Sequence, residues 1–443
     1  MNTLDLATQL SAQLDAEATD LDTLDAYLAG AQPAAFLSPE SRKALGDRLR
    51  MLSVNFPRLV VNSVSERMTI EGFKCSDPAL AAEVWRIWRR NRLVDGSAQA
   101  HTEALALGRA YVIVWAGASP ETPRVTIESP RQVAVKRDPA SGEITAAAKR
   151  WVDGDYAFIT VYEPTKITKY RTTDKLTSST GPLAERKWTV RDVLPNPLGR
   201  VPVVALVNAG RLTDTIGRSE MTDVLALTDA INKIVADMMV TSEFYARPRR
   251  WATGLEVVED DEGNPINPFT EGAERVWQSE SPETSFGQFD AARLDGYTDA
   301  LASLTQQIGA LSGLPPHYLG LHGDQPASAD AIRSAEASLV ATVGARMRTF
   351  GDSWAEVARL ILAVKTGRDP ESFDIEPNWA DAETRTPAQA ADAAAKLRGI
   401  GMALSTVQES TLGMGPEAIE ADRKARRAEA LDASGADLAA LLP

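Results

Sequence analysis

The sequence predicts an α+β protein that is mainly helical. Three observations carry that reading. Apolar residues recur at helical spacing through most of the chain outside residues 110–208. Within 110–208 the pattern changes to short β-branched and aromatic runs separated by turn residues. Beyond 217, a long helical tract leads into an acidic insertion, a second helix returns, and a loop leads into a third helix. A length of 443 residues allows two to four domains with sizeable cores.

The elements follow in order. Residues 1–50 read as helical. In "TDLDTLDAYLAG" an acidic start precedes Leu21, Leu24, Tyr27 and Leu28 at helical spacing, and Gly30 is a stop. "SPESRKALGDRLRML" opens with Ser38 as a cap and Pro39 at the first helical position. Residues 56–72 give a helix or a helix–strand junction. "DPALAAEVWRIWRRNRL" is amphipathic, with Leu80, Val84, Trp85 and Trp88 on one stripe. A further helix ends near Gly108. Then "AYVIVWA", "RVTIESP", "QVAVKRD", "ITAAAKRWV", "YAFITVYEP", "KITKYRTT" and the run from Lys187 to Asn208 indicate antiparallel strands in a meandering sheet.

From Gly217 the period becomes helical. Met221, Val224, Ile231 and Met238 lie on one stripe, and no Gly or Pro interrupts residues 218–247. A helix of about 28 residues, roughly 42 Å, is expected. In 247–290 two strand-like pieces, "RRWATG" and "RVWQSE", flank the acidic turn "EDDEGNPINP". "ARLDGYTDALASLTQQIGALSG" is helical. The tract from Pro326 to Gly367 reads as a helix of about 40 residues, with Gly344 and Gly351 as places for kinks. Residues 370–443 read as short, Ala-rich, acidic helices.

Composition narrows the function. There is no run of about 18 apolar residues, so no membrane span is expected. The acidic N-terminus lacks the pattern of a signal peptide. One cysteine, Cys75, cannot form an internal disulfide and reads as a small, semi-buried hydrophobe. The net charge of −14 is uneven: +2 over 1–216, −3 over 217–246, −6 over 247–290, −1 over 291–369 and −6 over 370–443. Duplex-DNA readers bind through a basic stripe that displaces counterions, and this chain has no long one. Contact with nucleic acid should therefore be loose.

Phosphate-binding glycine loops, H-E-x-x-H and G-x-S-x-G are absent. His101, on the Ala-rich helix before Gly108, reads as a half-buried polar residue rather than a base. His317 and His322 lie in "GLPPHYLGLHGDQPASADAIRSAEASL". With Asp324 they could approach a metal, but no fourth ligand is nearby. As a nucleophile–base pair they lack a Ser or Cys in a defined elbow. As a polar strap between helices they need nothing further. Pro315-Pro316 stops a helix, Gly320 and Gly323 permit turns, and Ser328 caps the next helix. No cofactor is expected.

Three stretches together resemble the portal proteins of tailed bacteriophages, in the siphophage branch. "GRSEMTDVLALTDAINKIVADMMVTSEFYARP" is similar to the family's G-x-S-[DE]…D-x-x-N-K…E-F-x-A-x-P helix. "LSGLPPHYLGLHGDQPASADAIRSAEASL" is similar to its P-P-x-x-L-G loop and following helix start. "LGMGPEAIEADRKARRAEAL" is similar to its charged C-terminal helix. The strand "LGRVPVVALVN" also matches. Asp324-Gln325 departs from the family, where an Asn often precedes the Pro.

The resemblance implies a mainly helical portal fold that is not an enzyme. Twelve copies would ring one capsid vertex around a channel for double-stranded DNA. It implies an α/β wing over 1–216, a stem helix over 217–246, a clip over 247–290 and a second stem helix over 291–312. A tunnel loop would occupy 313–329, a long wing helix 330–369 and a crown 370–443. It places His322, Gly323, Asp324 and Gln325 at the DNA channel. It gives the clip, with Glu259, Asp260, Asp261 and Glu262, to docking of the packaging motor (large terminase) and later the head–tail adaptor. Major capsid protein and scaffold are further implied partners. The implied location is the virion, with host cytoplasm during assembly. Met221, Val224, Ile231 and Met238 are expected to form part of an apolar seam between copies, the alternative being packing within one subunit. Acidic stem, clip and crown would repel DNA and keep it centred. Another ring-forming virion adaptor is the runner-up.

Overall fold

The computed structural model describes residues 2–33, 53–117, 122–176, 181–245, 250–254, 258–259, 265–266, 282–288, 293–321, 328–383 and 387–433. Helix α1 (Thr3–Ala29) starts at Asn2, whose side chain accepts from the Leu4 N–H, and stops at left-handed Gly30. Its Leu6, Ala7, Leu10 and Leu14 enter one core, and Leu21 enters another. Acidic residues on it meet bases beside the sheet: Asp15 pairs with Arg150 on a strand at 2.7 Å, and Asp22 and Asp25 pair with Arg131, in a turn, at 2.6 and 2.9 Å. The predicted helix at 38–52 lies outside the described residues.

Helix α2 (Phe56–Ser65) leads to strand β1 (Ile70–Cys75), so 56–72 is the helix–strand junction. Helices α3 (Pro78–Arg90) and α4 (Leu93–Leu107) follow. The β-rich block contains every predicted run as a strand: β2 (Arg109–Trp115), β3 (Arg124–Glu128), β4 (Val133–Arg137), β5 (Ile144–Asp153), β6 (Tyr156–Tyr162), β7 (Lys166–Thr172), β8 (Trp188–Pro195) and β9 (Val203–Val207). They form two sheets rather than one. β4 to β8 make an antiparallel five-stranded meander, and β2 lies between β3 and β9 in a three-stranded sheet. The break has a plain cause: β9 returns to pair with β2 across about 90 residues, a long-range pairing that local alternation does not encode.

Helix α5 (Leu225–Tyr245) and helix α6 (Asp295–Ser312) bracket small antiparallel pairs. Strand β10 (Arg250–Thr253) pairs with β13 (Ser285–Gln288), and β11 (Val258–Glu259) with β12 (Pro265–Ile266). Arg250–Thr253 was expected as a strand. The second expected strand, 275–280, lies outside the described residues. Helix α7 (Ala329–Thr366) runs 38 residues, unbroken through Gly344 and Gly351. Strand β14 (Ile375–Trp379) pairs with β1. Helices α8 (Pro387–Gly399), α9 (Leu404–Ser410) and α10 (Pro416–Ala433) end the described chain.

The sequence reading placed only helices after 370, and β14 corrects it. Ile375 is fully buried and Phe373 nearly so, because the strand completes the main core beside α7. That core is centred on Trp88, Phe350, Trp354, Val357 and Ile361. His101 lies inside it and is wholly buried, not half-buried as expected. Its Nε2 accepts from Trp354 Nε1 at 2.8 Å, and its ring stacks on Phe350 with centroids 5.7 Å apart. Burial pushes its pKa down to about 3, so it is neutral. Cys75 is partly exposed on an open groove of about 990 Å³ that Phe73, Trp85 and Ala418 also line.

Candidate functional site

The site is a helix pair with the turn at its root. Helix α5 is shorter than expected, with 21 residues spanning about 32 Å. Residues 217–224, irregular backbone followed by turns, are tied to the body instead. Gly217 has φ +82°, and a Cβ there would lie 1.9 Å from the Gly108 carbonyl oxygen. Only glycine allows this approach. Ser219 Oγ accepts from the Met221 N–H at 3.1 Å. Glu220 Oε1 accepts from Arg346 Nε at 2.6 Å and from Asn208 Nδ2 at 3.1 Å. The G-R-S-E stretch therefore joins α4, β9 and α7. These long-range bonds hold 217–224 out of the helix that local periodicity favoured.

The D-x-x-N-K stretch is also an anchor. Tyr27 Oη donates to Asp229 at 2.7 Å, and burial with that carboxylate raises the tyrosine pKa. Asn232 Oδ1 accepts from the Val54 N–H at 2.9 Å. The base of α5 is thus fastened to the N-terminal helices.

Burial fades along the pair away from this base. Met221, Val224 and Ile231 are buried in the chain's own core. These three expected seam residues therefore pack within one subunit, because the root of the helix is inserted in the body. Met238 is half-buried and Met239 is 43% exposed, while Leu311, at the base end of α6, is itself 60% exposed. The helices pack together, with Thr241 Oγ1 and Tyr297 Oη 3.1 Å apart. The insertion between them carries Glu259 at the end of β11. Asp260, Asp261 and Glu262 lie outside the described residues.

Helix α6 ends at left-handed Gly313, so glycine rather than the prolines stops it. Pro316–Leu319 then form a 3₁₀ turn capped by left-handed Gly320. Three consecutive side chains lock this turn to α7, to the segment between α2 and β1, and to α6. His317 Nε2 lies 3.5 Å from Glu336 on α7. Tyr318 Oη accepts from Arg67 Nη2 at 3.0 Å. Leu319 covers Gly309 on α6, where a Cβ would lie 2.6 Å from Leu319 Cδ1. Arg67 also pairs with Glu336 at 3.0 Å, both side chains 11% exposed, and donates to the Ala382 carbonyl at 2.9 Å. Burial alone would lower the Arg67 pKa, but Tyr318 and Glu336 outweigh it and raise it. Sequence reasoning missed Arg67, Tyr318 and Glu336. Tyr318 and Glu336 stood in one quoted stretch, but Arg67 lies about 250 residues before them.

Residues 322–327, with His322, Gly323, Asp324 and Gln325, lie outside the described residues. Ser328 resumes the chain and caps α7 as expected, its Oγ accepting from the Ala331 N–H at 3.2 Å. Among the described residues no three His, Cys, Asp or Glu side chains converge as a metal site. No helix among them is long and apolar enough to cross a membrane.

The phage portal protein model of SPP1 Gp6-like type matches residues 8–413. The portal protein of Mycobacterium phage D29 is 33% identical over 403 residues, covering 87% of this chain and 80% of that protein. The portal protein of Mycobacterium phage L5 is 32% identical over 404 residues, with the same coverages. A chain from the neck of an empty gene transfer agent particle is 14% identical, with a TM-score of 0.49, covering 87% of this chain and 95% of its own. With its family match extending across nearly the whole length, the chain belongs to the phage portal proteins of SPP1 Gp6-like type.

Proposed function

We propose that the chain is one subunit of a closed ring at the capsid vertex, through which double-stranded DNA passes during packaging and ejection. The carrying observation is the α5–α6 pair. It is inserted in the body at one end, carries a small acidic insertion between its helices, and returns to a locked turn. In this reading α5 and α6 are the stem, 247–290 the clip, 313–329 the channel loop, α7 the long wing helix and the C-terminal helices the crown. The clip docks the large terminase and then the head–tail adaptor. Major capsid protein and scaffold are the further partners of this reading. The particle works in the virion after assembly in the host cytoplasm.

The charge distribution supports sliding rather than gripping. Each neutralised phosphate adds salt-dependent affinity, which would trap DNA. The stem, clip and crown segments instead carry −3, −6 and −6. Copies arranged side by side make heterologous contacts that close by rotation. Met239 and Leu311 are apolar groups left for that seam.

The mass of the assembled particle and its negative-stain image test the reading. A ring of roughly twelve 47.7 kDa chains with a central hole is expected. A purified chain that stays monomeric in every salt and also fails to join particles in infected cells refutes it.

A further inference from the structure

We infer that Arg67 is a positioning residue, which sets the turn at Pro316–Leu319 and links that turn to the segment around Ala382. The inference rests on reading 313–329 as the loop that meets DNA. Arg67 stands between α2 and β1, outside every stretch that carried the family likeness. Its Nη2 serves Tyr318 Oη and Glu336, both at 3.0 Å, while Nη1 serves the Ala382 carbonyl at 2.9 Å. One planar fork thus holds the turn, the long helix and the segment that follows β14. Lysine, a point charge on a flexible stem, cannot hold the same partners in one plane.

The network is enclosed as well as connected. Glu336 is 8% exposed, so its carboxylate depends on its cationic partner. His317 Nε2 lies 3.5 Å from the same carboxylate oxygen. Leu319 seats against Gly309, which leaves the turn no room to slide along α6. A pull on the turn therefore acts on Arg67, and Arg67 hands it to Ala382. Arg67 is the hydrogen-bonded connection between Tyr318 and that carbonyl.

Hydrogen exchange on the assembled full chain tests this, using Arg67→Lys and the milder Tyr318→Phe. Tyr318→Phe should speed amide exchange in 380–383 about tenfold, which one charge-assisted hydrogen bond accounts for. Arg67→Lys should do the same in both 314–321 and 380–383. Exchange in 350–361 should stay unchanged in both variants, which separates positioning from general loss of stability. Unchanged exchange at 380–383 in both variants overturns the inference, and so does a uniform rise across the chain. If Arg67→Lys fails to fold, Tyr318→Phe alone decides. Particles carrying a variant that shows the local change should retain less DNA at normal ring mass. Normal retention with the local exchange change leaves the Arg67 link standing and refutes the channel-loop reading instead.

Discussion

At the scale of single residues, Gly217 and His101 show two ways a position becomes fixed. Gly217 is fixed by backbone geometry: its left-handed φ and its approach to Gly108 exclude any side chain. Gly217→Ala should cost about 2–4 kcal/mol, read as a lowered denaturant midpoint. His101 is fixed by burial against aromatic rings and one bond from Trp354. Its pKa falls from 6.5 to about 3 on folding, so between those values the unfolded chain binds the extra proton. Stability from this residue is complete above about pH 6.5 and is lost as pH falls toward 3. The loss should be roughly 2–3 kcal/mol at pH 4.5. Urea midpoints at pH 7 and 4.5 check it, and His101→Gln should show a shallower slope. Glu83 is held down to about 2 by Arg86 and Lys365, so its contribution fades only below about pH 4.5.

At the scale of elements, the family stretches turn out to be joints. G-R-S-E ties the chain to Asn208 and Arg346, and D-x-x-N-K ties α5 to Tyr27 and Val54. The apolar spacing of Met221, Val224 and Ile231 was legible because all three are buried in one core, although only Ile231 lies in the helix that the spacing suggested. Which partner covers the stripe was not legible, since one subunit and a neighbour offer the same chemistry. Strand β14 was illegible because "DIEPNW" is short, contains a proline and gains its strand character only from β1. On α6, beneath the 3₁₀ turn, Gly309→Val should force Leu319 aside and cost about 1–3 kcal/mol. Thermal unfolding measures it, and an unchanged midpoint would show that Leu319 has room to move. Charge reversal across Glu259–Glu262 should weaken motor or adaptor capture by intact rings. Rings that fail to form would make that cluster structural instead.

At the scale of the whole molecule, the question is how the stalk is stabilised. Its burial comes mostly from its root, while Met239 toward the far end of α5 and Leu311 at the root end of α6 remain exposed. Covering one such side chain is worth about 1.5–3 kcal/mol, and a ring repeats that gain at every contact. Met239→Asp with Leu311→Asp should therefore shift the particle from ring to free chains while leaving the subunit folded. Light scattering with circular dichroism separates the two effects. Rings of unchanged mass would locate the seam elsewhere. In the proposed ring, the acidic charge of 217–246, 247–290 and 370–443 would act at this scale too, because repulsion from a channel wall depends on the sum of charges rather than any one pair.

The sequence by itself determined most of the helix and strand content, the helix–insertion–helix order and the family. Those depend on local periodicity, turn residues and short motifs. Only the tertiary structure decided that 217–224 stays out of the helix, that two sheets replace one, that β14 returns to β1, and that Arg67 meets Tyr318, Glu336 and Ala382. Each is a contact between residues far apart in the chain, and its free energy exists only once the intervening segments have packed.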